Sequence, residues 1–215
     1  MSQKKKKTRR ARTEQEAFWA GTFGDDYIGR NRSDQLLAGN LALFSRILAR
    51  ARDVGSVIEL GANIGMNLKA LRALRPGAAC TGVEINAKAA REMAAIPGVK
   101  AVRASLFDYE PKPHDLAFTK GVLIHLNPEM LPLAYDRLAR AGRRYVAIIE
   151  YYNPAPVEVP YRGHSGRLFK RDFAGEFMER HPAFRLVDYG FVYRRDPVFP
   201  QDDLTWFLME RRGSR

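Results

Sequence analysis

The sequence predicts an α/β fold, in which a mostly parallel β-sheet is covered by helices on both faces and ends in an antiparallel hairpin. Short apolar strands alternate with helical segments from Val57 onward. A turn that contains Gly61 and Gly65 joins the first of these strands directly to a helix. No helix fits between the last two strands, so that pair must run antiparallel. Buried strands that are separated by helices form parallel sheets with both faces covered.

A basic tail and a first helix are predicted before the sheet. Residues 1–12 carry seven positive charges and too few apolar side chains to form a core, so we expect them to be disordered. Thr13 and Glu16 match a capping box, which predicts that a helix starts there. We expect residues 13–215 to form a single domain.

A longer helix is predicted after a turn at residues 21–26. Ser33 is suited to cap it, and apolar residues follow at helical spacing on one face, namely Leu37, Leu41, Phe44 and Leu48. We expect this face to pack on the sheet. Residues 13–52 together are predicted to form a helical lid.

The rest of the chain supplies the sheet and its covering helices. Strands are predicted at residues 57–60, 79–84, 99–104, 116–119 and 144–151, with helices that end near residue 74, span residues 87–95 and begin at Asn127 and Pro128. A helix at residues 171–180 and two strands, at 185–193 and 204–210, complete the chain.

The segment VIELGANIGMNL, residues 57–68, predicts a nucleotide-like ligand. Glycine at positions 61 and 65 permits positive φ and lets a ligand approach closely, and the following helix begins with free N–H groups. Glu84 ends the next strand, where an acid accepts hydrogen bonds from ribose hydroxyls. The third glycine of a dinucleotide-binding turn is missing, which favours another adenosyl ligand over NAD.

The spacing of Glu59, Gly61, Asn63 and Gly65 resembles motif I of the class I S-adenosylmethionine-dependent methyltransferases, with Asn63 in place of the usual middle glycine. The resemblance implies S-adenosylmethionine as cofactor and a three-layer, Rossmann-like fold with a mostly parallel seven-stranded sheet. The cofactor-binding residues that it implies are Tyr27, Arg30, Asn31, Glu59, Gly61, Asn63, Gly65, Asn67, Glu84, Ile85, Ser105, Leu106 and Lys120.

Longer segments resemble a narrower family, the methylases associated with pseudaminic acid biosynthesis. The similar strings are FWAGTFGDDYIGRN (residues 18–31), KGVLIHLNP (120–128), EYYNPAPVEVPYRG (150–163), LFKRDFAGEF (168–177) and VDYGFVYRRDPVFPQDDLTWFLME (187–210). The resemblance implies a small, anionic, sugar-like acceptor: a nonulosonic acid, its nucleotide-activated form or a precursor. Methylation on oxygen or on nitrogen is compatible with it.

Two residues are candidate proton acceptors. A hydroxyl that is methylated must be held in line with the methyl group and needs a base to receive its proton. His125 follows the fourth strand and is available in neutral form at physiological pH. Glu150 ends the fifth strand. The alternatives are that His125 only hydrogen-bonds within a turn, and that Glu150 only pairs with Arg143, Arg144 or Arg162.

Candidate acceptor-binding residues come after the fifth strand. Tyr151, Tyr152 and Asn153 form an aromatic and polar ledge suited to a sugar. Tyr161, Arg162 and Lys170 belong to a basic loop that suits a carboxylate or phosphate, since arginine makes bidentate pairs with both. The alternatives are ordinary packing for the tyrosines and a solvated surface for the cations.

Charge, cysteine and histidine content argue against other classes of site. The formal charge of +12 falls to +5 without the seven charges of residues 1–12, so a nucleic-acid partner is not expected. The single cysteine excludes a disulfide within the chain. The four histidines lack ligand spacing, and Asp202 and Asp203 read as a surface pair, so no metal is expected.

No apolar run is long enough to cross a membrane, which predicts a cytoplasmic protein. Two other functions stay open. The first is an RNA methyltransferase that uses the basic tail. The second is a cofactor-binding protein of a sugar pathway that has lost catalysis. The sequence leaves the oligomeric state open.

Overall fold

The computed structural model describes residues 13–163 and 165–214, and only the backbone of Arg30 and Asn31. The disorder expected for residues 1–12 concerns a segment that lies outside the described residues.

Three helices precede the sheet. Helix α1 spans Glu14–Ala20, α2 spans Thr22–Tyr27 and α3 spans Asp34–Arg50, with a 3₁₀ turn at Ile28–Asn31 before α3. The capping box is present, because the Thr13 side chain accepts the N–H of Glu16 and the Glu16 carboxylate accepts the N–H of Thr13. Ser33 caps α3 as predicted.

The turn expected at residues 21–26 is wrong, because α2 occupies this segment. Aromatic side chains pack along this helix. The Trp19 ring lies edge-on to Phe23 and to Tyr27, with centroid distances of 5.3 Å and 5.2 Å, respectively. Phe23 and Tyr27 lie one turn apart on α2, and Trp19 reaches them from the end of α1. Gly24 lies inside α2 because a Cβ at this position would clash with the carbonyl group of Trp19.

Nine strands and four further α-helices follow in the described part of the chain. Their bounds are β1 Ser56–Leu60, α4 Met66–Leu74, β2 Ala79–Glu84, α5 Ala87–Met93, β3 Val99–Arg103, β4 His114–Lys120, α6 Leu131–Ala141, β5 Gly142–Glu150, β6 Val157–Glu158, β7 Phe169–Lys170, α7 Phe173–Arg180, β8 Phe184–Val192 and β9 Leu204–Arg211. Asn127 caps a 3₁₀ turn, Pro128–Met130, that leads into α6 instead of starting the α-helix itself.

The seven-stranded sheet has the order β3-β2-β1-β4-β5-β9-β8. Strands β1 to β5 are parallel, and β9 runs antiparallel to both of its neighbours. The predicted fold class is confirmed, including the C-terminal antiparallel pair. The strand order reverses between the neighbouring strands β1 and β4, because β2 and β3 lie on one side of this pair and β5 lies on the other. Open α/β sheets bind ligands at such a switch point.

Helices cover both faces of the sheet, whereas the edge strand β8 is largely exposed. One core cluster packs α6 and α7 against residues such as Ile58 and Val146, and the other packs α3 and α4 against residues such as Val57 and Phe118. On α3 the fully buried large apolar residues are Leu43, Phe44 and Ile47, while the predicted Leu37, Leu41 and Leu48 are half-buried beside them. The three layers therefore position the strand ends as a rigid base.

A small sheet that was not predicted pairs β6 with β7 between β5 and α7. These two-residue strands bracket the loop that carries Tyr161 and Arg162, and the N–H of Val159 donates to the carbonyl group of Leu168 at 2.9 Å. The loop is thereby held next to the strand ends.

Candidate active site

A cavity of about 290 Å³ lies at the carboxyl ends of β1, β2 and β4. Its base is formed by the residues that follow these strands. Its other walls come from α1 to α3, from the loop between β6 and β7, and from the residues that precede β9.

The glycine turn after β1 has the left-handed backbone that its residues predict. The φ angles are 85° at Gly61, 48° at Asn63 and 80° at Gly65. The side chains that exclude a Cβ belong to the protein: Val122 Cγ2 at 2.5 Å for Gly61, and Ile96 Cδ1 at 2.8 Å for Gly65. Packing therefore excludes a Cβ at both glycines, and the close approach of a ligand to them stays a prediction. Gly61 and Asn63 line the cavity, and Gly65 is the N-cap of α4.

Glu84 lies at the end of β2, where its carboxylate faces the cavity and organises the turn. One oxygen, Oε2, accepts the N–H of Asn63 at 2.7 Å, and Oε1 accepts the N–H of Asn86 at 2.7 Å. Burial raises the pKa of Glu84, while these backbone donors act in the opposite direction. A carboxylate has about four lone-pair positions, so acceptor capacity remains for a ligand hydroxyl.

A cluster of four polar side chains lies near the carboxyl ends of β1 and β4. Asn67 donates to Glu59 Oε1 at 2.6 Å, and Lys120 Nζ donates to Asn40 Oδ1 at 2.7 Å. Desolvation raises the pKa of Glu59 to about 8 and lowers the pKa of Lys120 to about 8. All four side chains line the cavity.

The other predicted cofactor residues lie on two further walls. Ile85, Ser105 and Leu106 line the cavity after β2 and β3, and Ser105 Oγ accepts the N–H of Phe107 at 3.1 Å. Tyr27 lines it from α2. The side chains of Arg30 and Asn31, which were also predicted, are outside the described part of the structure.

His125 lies in a 3₁₀ turn, Leu123–His125, and is 6% exposed. Its Nδ1 is 2.6 Å from the carbonyl oxygen of Arg167, so Nδ1 must carry the proton and Nε2 the lone pair. Burial lowers the pKa of His125 to about 4. The ring packs at 4.7 Å from Trp19 and 4.9 Å from Tyr161, all three lining the cavity.

Glu150 is placed differently from the prediction. Its carboxylate accepts the N–H groups of Val122, Leu123 and Ile124 at 3.0, 3.1 and 3.4 Å. It is 2% exposed and is absent from the described residues that line the cavity. Burial raises its pKa to about 7 in spite of these donors. The carboxylate therefore fixes the turn that carries His125, and this geometry argues against a direct role in proton transfer.

Solved structures share this fold. The chain is similar to the magnesium protoporphyrin IX methyltransferase of Synechocystis PCC 6803 with bound S-adenosylmethionine, at 14% identity and a TM-score of 0.64, over 95% of this chain and 100% of that one. It is similar to the Burkholderia thailandensis 1,6-didemethyltoxoflavin-N1-methyltransferase with bound 1,6-didemethyltoxoflavin and S-adenosylhomocysteine, at 17% identity and a TM-score of 0.67, over 91% and 86%. The chain has the class I methyltransferase fold.

A third similar structure is the mitomycin 7-O-methyltransferase, at 15% identity and a TM-score of 0.59, over 88% of this chain. The chain spans 55% of the length of that protein. No model of a protein family and no curated protein matches the sequence. The resemblance to the pseudaminic acid-associated methylases therefore stays a prediction.

Some of the predicted acceptor-binding residues lie at the cavity, and their role in acceptor binding stays a prediction. Tyr151, Tyr161 and Arg162 line the cavity. Arg162 has a φ of 52°, in the left-handed region, and its guanidinium lies 5.4 Å from the centre of the Tyr161 ring. A non-glycine residue in this conformation is strained, and such strain clusters at functional sites.

Three other predicted residues are not among the described residues that line the cavity. Tyr152 is 43% exposed and packs on Phe207, because neighbouring side chains of an extended chain point in opposite directions. Asn153 donates to the carbonyl group of Ala155 at 2.6 Å. Lys170 lies over the outer side of the site, with Nζ 5.0 Å from the centre of the Tyr151 ring.

The lining residues that were not predicted from the sequence include Trp19, Asn40 and Asp202. Asn40 had a signal, because it is a polar residue on the otherwise apolar face of α3. For Trp19 the signal in the sequence was its four-residue spacing from another aromatic residue, Phe23. Asp202, which was interpreted as part of a surface pair, had none, since a loop of ten or so residues places it at the cavity.

Among residues 13–163 and 165–214, no group of three or more His, Cys, Asp or Glu side chains is arranged to hold a metal ion. No helix in the described part of the chain combines the length and the apolar character needed to span a membrane.

Proposed function

We propose that the chain is an S-adenosylmethionine-dependent methyltransferase that acts on a small, anionic, sugar-like acceptor. The observation that carries this proposal is one continuous cavity with two chemically different ends. Glu84 and the glycine turn line one end, and His125, Tyr161 and Arg162 line the other. The class I methyltransferase fold makes S-adenosylmethionine the natural occupant of the first end.

The residues at the first end fit this cofactor. Glu84 retains acceptor capacity for the ribose hydroxyls after binding two N–H groups. Ile85 and Leu106 supply apolar walls for the adenine, beside Ser105. Glu59 Oε2 is a buried oxygen with no hydrogen-bond partner among the described residues, and once the acid is ionised beside the positively charged amino group of the cofactor, this oxygen can accept its hydrogen bond.

The bound cofactor supplies an electrophilic methyl group to the acceptor. The protein contributes an apolar enclosure from Trp19 and Tyr161, which excludes water from the reacting atoms. For a hydroxyl acceptor, the proton passes from the acceptor oxygen to Nε2 of His125, whose lone pair is fixed by the Arg167 carbonyl group. With a pKa of about 4, His125 is a weak base, so positioning of the acceptor carries most of the rate acceleration.

Two features support an anionic, sugar-like acceptor. The guanidinium of Arg162 lines the cavity, and it is suited to a carboxylate or a phosphate. The rings of Tyr161, Trp19 and Tyr151 give flat apolar surfaces for a sugar ring. The sequence resemblance to the pseudaminic acid-associated methylases points to the same acceptor class.

Incubation with isotope-labelled S-adenosylmethionine and a panel of acidic nine-carbon sugars, free and nucleotide-activated, tests the proposal by mass spectrometry. We expect one labelled methyl group on an anionic member of the panel, and none on its neutral analogue. Cofactor binding without transfer to any member would favour the catalytically silent alternative. Transfer to RNA that is lost on deletion of residues 1–12 would favour the RNA alternative.

A further inference from the structure

We propose that Lys120 is the group that binds the carboxylate of the cofactor's amino-acid end, and that Asn40 is a positioning residue which holds the lysine ready for it. This inference rests on the proposed function, because it names how the same cavity recognises one part of S-adenosylmethionine.

Lys120 is the last residue of β4, and its amine is directed into the cavity between β1 and α3. Its one hydrogen-bond partner among the described residues is Asn40 Oδ1, at 2.7 Å. An ammonium group has three N–H donors, so donors remain for a ligand. Because this part of the cavity is shielded from solvent, a ligand carboxylate would gain more here than at the surface.

Acidic neighbours act on Lys120 without contacting it. Glu59 and Asp202 both influence its charge electrostatically, and no ion pair joins Lys120 to either acid in the described part of the chain. The Lys120 amine and the Glu59 carboxyl group therefore face the cavity as separate groups, and a ligand ammonium beside Glu59 would favour the ionised form of this acid. A ligand that carries an ammonium and a carboxylate on one carbon complements this pair, whereas a ligand with only one of these charges leaves the other unmatched.

Asn40 explains why the Lys120 amine and the Glu59 carboxyl group stay apart. It is 1% exposed on α3, and its amide oxygen accepts from Lys120 on the side of the N-terminal helices. Without this acceptor, the attraction to Glu59 would draw the flexible lysine onto the acid, and both groups would be lost to the ligand. The position of α3 thus contributes to cofactor recognition through a residue that needs no contact with the cofactor.

Calorimetric titrations with two ligands test this assignment. S-adenosylhomocysteine carries the amino-acid end, and 5′-methylthioadenosine has the same nucleoside without it. For Lys120→Met we expect the affinity for S-adenosylhomocysteine to fall about tenfold or more, while 5′-methylthioadenosine binds as it does to the wild type. Lys100→Met, which removes an exposed lysine of β3, should leave both affinities unchanged.

Asn40→Leu and Asn40→Ser test the positioning role. Both variants should reduce the preference for S-adenosylhomocysteine over 5′-methylthioadenosine, although by less than Lys120→Met does. If Asn40 had only a structural role, the affinities for the two ligands would fall by the same factor. If the preference of Lys120→Met equals that of the wild type, the assignment is overturned. If the wild type binds neither ligand, the proposed function fails together with it.

Discussion

The Nδ1 atom of His125 lies 2.6 Å from the carbonyl oxygen of Arg167, and this contact sets the chemistry of the imidazole. A carbonyl oxygen only accepts, so the proton is on Nδ1 and the lone pair of Nε2 is available to the cavity. Burial keeps the ring neutral. A backbone group of the loop between β6 and β7 thus selects the tautomer of the candidate base.

Replacing His125 by Gln should lower kcat by about 10²-fold, the lower end of the range for a general base, because the pKa of about 4 makes the imidazole a weak base. The wild-type rate should show no rise near pH 6.5, since the ring is already neutral there. Steady-state rates between pH 5 and pH 9 test both statements. A variant as fast as the wild type would show that positioning alone suffices.

The same histidine predicts a pH dependence of stability. Its folded pKa of about 4 lies below the unfolded value of 6.5, so the unfolded state binds more protons between these values. The free energy of unfolding should therefore rise with pH across this window and fall as pH is lowered towards 4. In His125→Gln this rise should be smaller than in the wild type, as measured by urea titrations at pH 4.5 and pH 7.

Glu150→Gln separates a structural carboxylate from a catalytic one. Glutamine keeps an oxygen that accepts the N–H groups of Val122 and Leu123, so we expect kcat to stay within about twofold of the wild type. The folded pKa of about 7 exceeds the unfolded 4.5, so the wild type loses stability as pH rises through this window. Across this window the free energy of unfolding of the variant should fall less than that of the wild type, by on the order of 3 kcal/mol.

Rates and urea titrations on Glu150→Gln at pH 5 and pH 8 measure both effects. A collapse of kcat with unchanged stability would contradict the structural role and return Glu150 to the list of candidate bases.

The fold was largely predictable because its signals are local. The bounds of β2 were predicted to the residue and those of β1 to within one, since each is a short buried run bounded by glycine or proline. Glu84 and the glycine turn were placed correctly for the same reason: a strand end and its following turn stay adjacent in space whatever the rest of the chain does.

The acceptor end was less predictable because it depends on tertiary contacts. Tyr151 and Tyr152 are neighbours with similar chemistry, but only Tyr151 lines the cavity, and the sequence does not show which one faces inward. Glu150 ends a strand next to the cavity, yet its oxygens are taken by the backbone of another segment. Asp202 reaches the site through a loop with no periodic pattern.

Gly61→Ala should destabilise the fold by roughly 1–3 kcal/mol. The φ of 85° disfavours a Cβ, and the new atom would lie 2.5 Å from Val122 Cγ2. Gly77→Ala is the matched control, because nothing lies within 4 Å of a Cβ there. Adding Val122→Ala to Gly61→Ala should recover part of the loss. Equal free energies of unfolding for the two single variants would contradict this account of the turn.

Arg162→Gly should weaken the anionic acceptor without harming the fold. Glycine adopts the φ of 52° freely, so stability should be unchanged or higher by up to about 1 kcal/mol. KM for the acceptor should rise about three- to tenfold with kcat nearly constant, and the difference should shrink at high salt. Arg195→Gly, at an exposed arginine, is the control. An equal KM for wild type and Arg162→Gly would exclude Arg162 from acceptor binding.

The most direct measurement is a calorimetric titration of the folded wild-type chain with S-adenosylhomocysteine, repeated with an analogue that lacks both ribose hydroxyls. Glu84 at the end of β2 and the adjacent turn predict one binding site with a Kd on the order of micromolar, and at least about tenfold weaker binding of the analogue. No binding of S-adenosylhomocysteine at millimolar concentration, or equal binding of the two ligands, would contradict the assignment of this cavity.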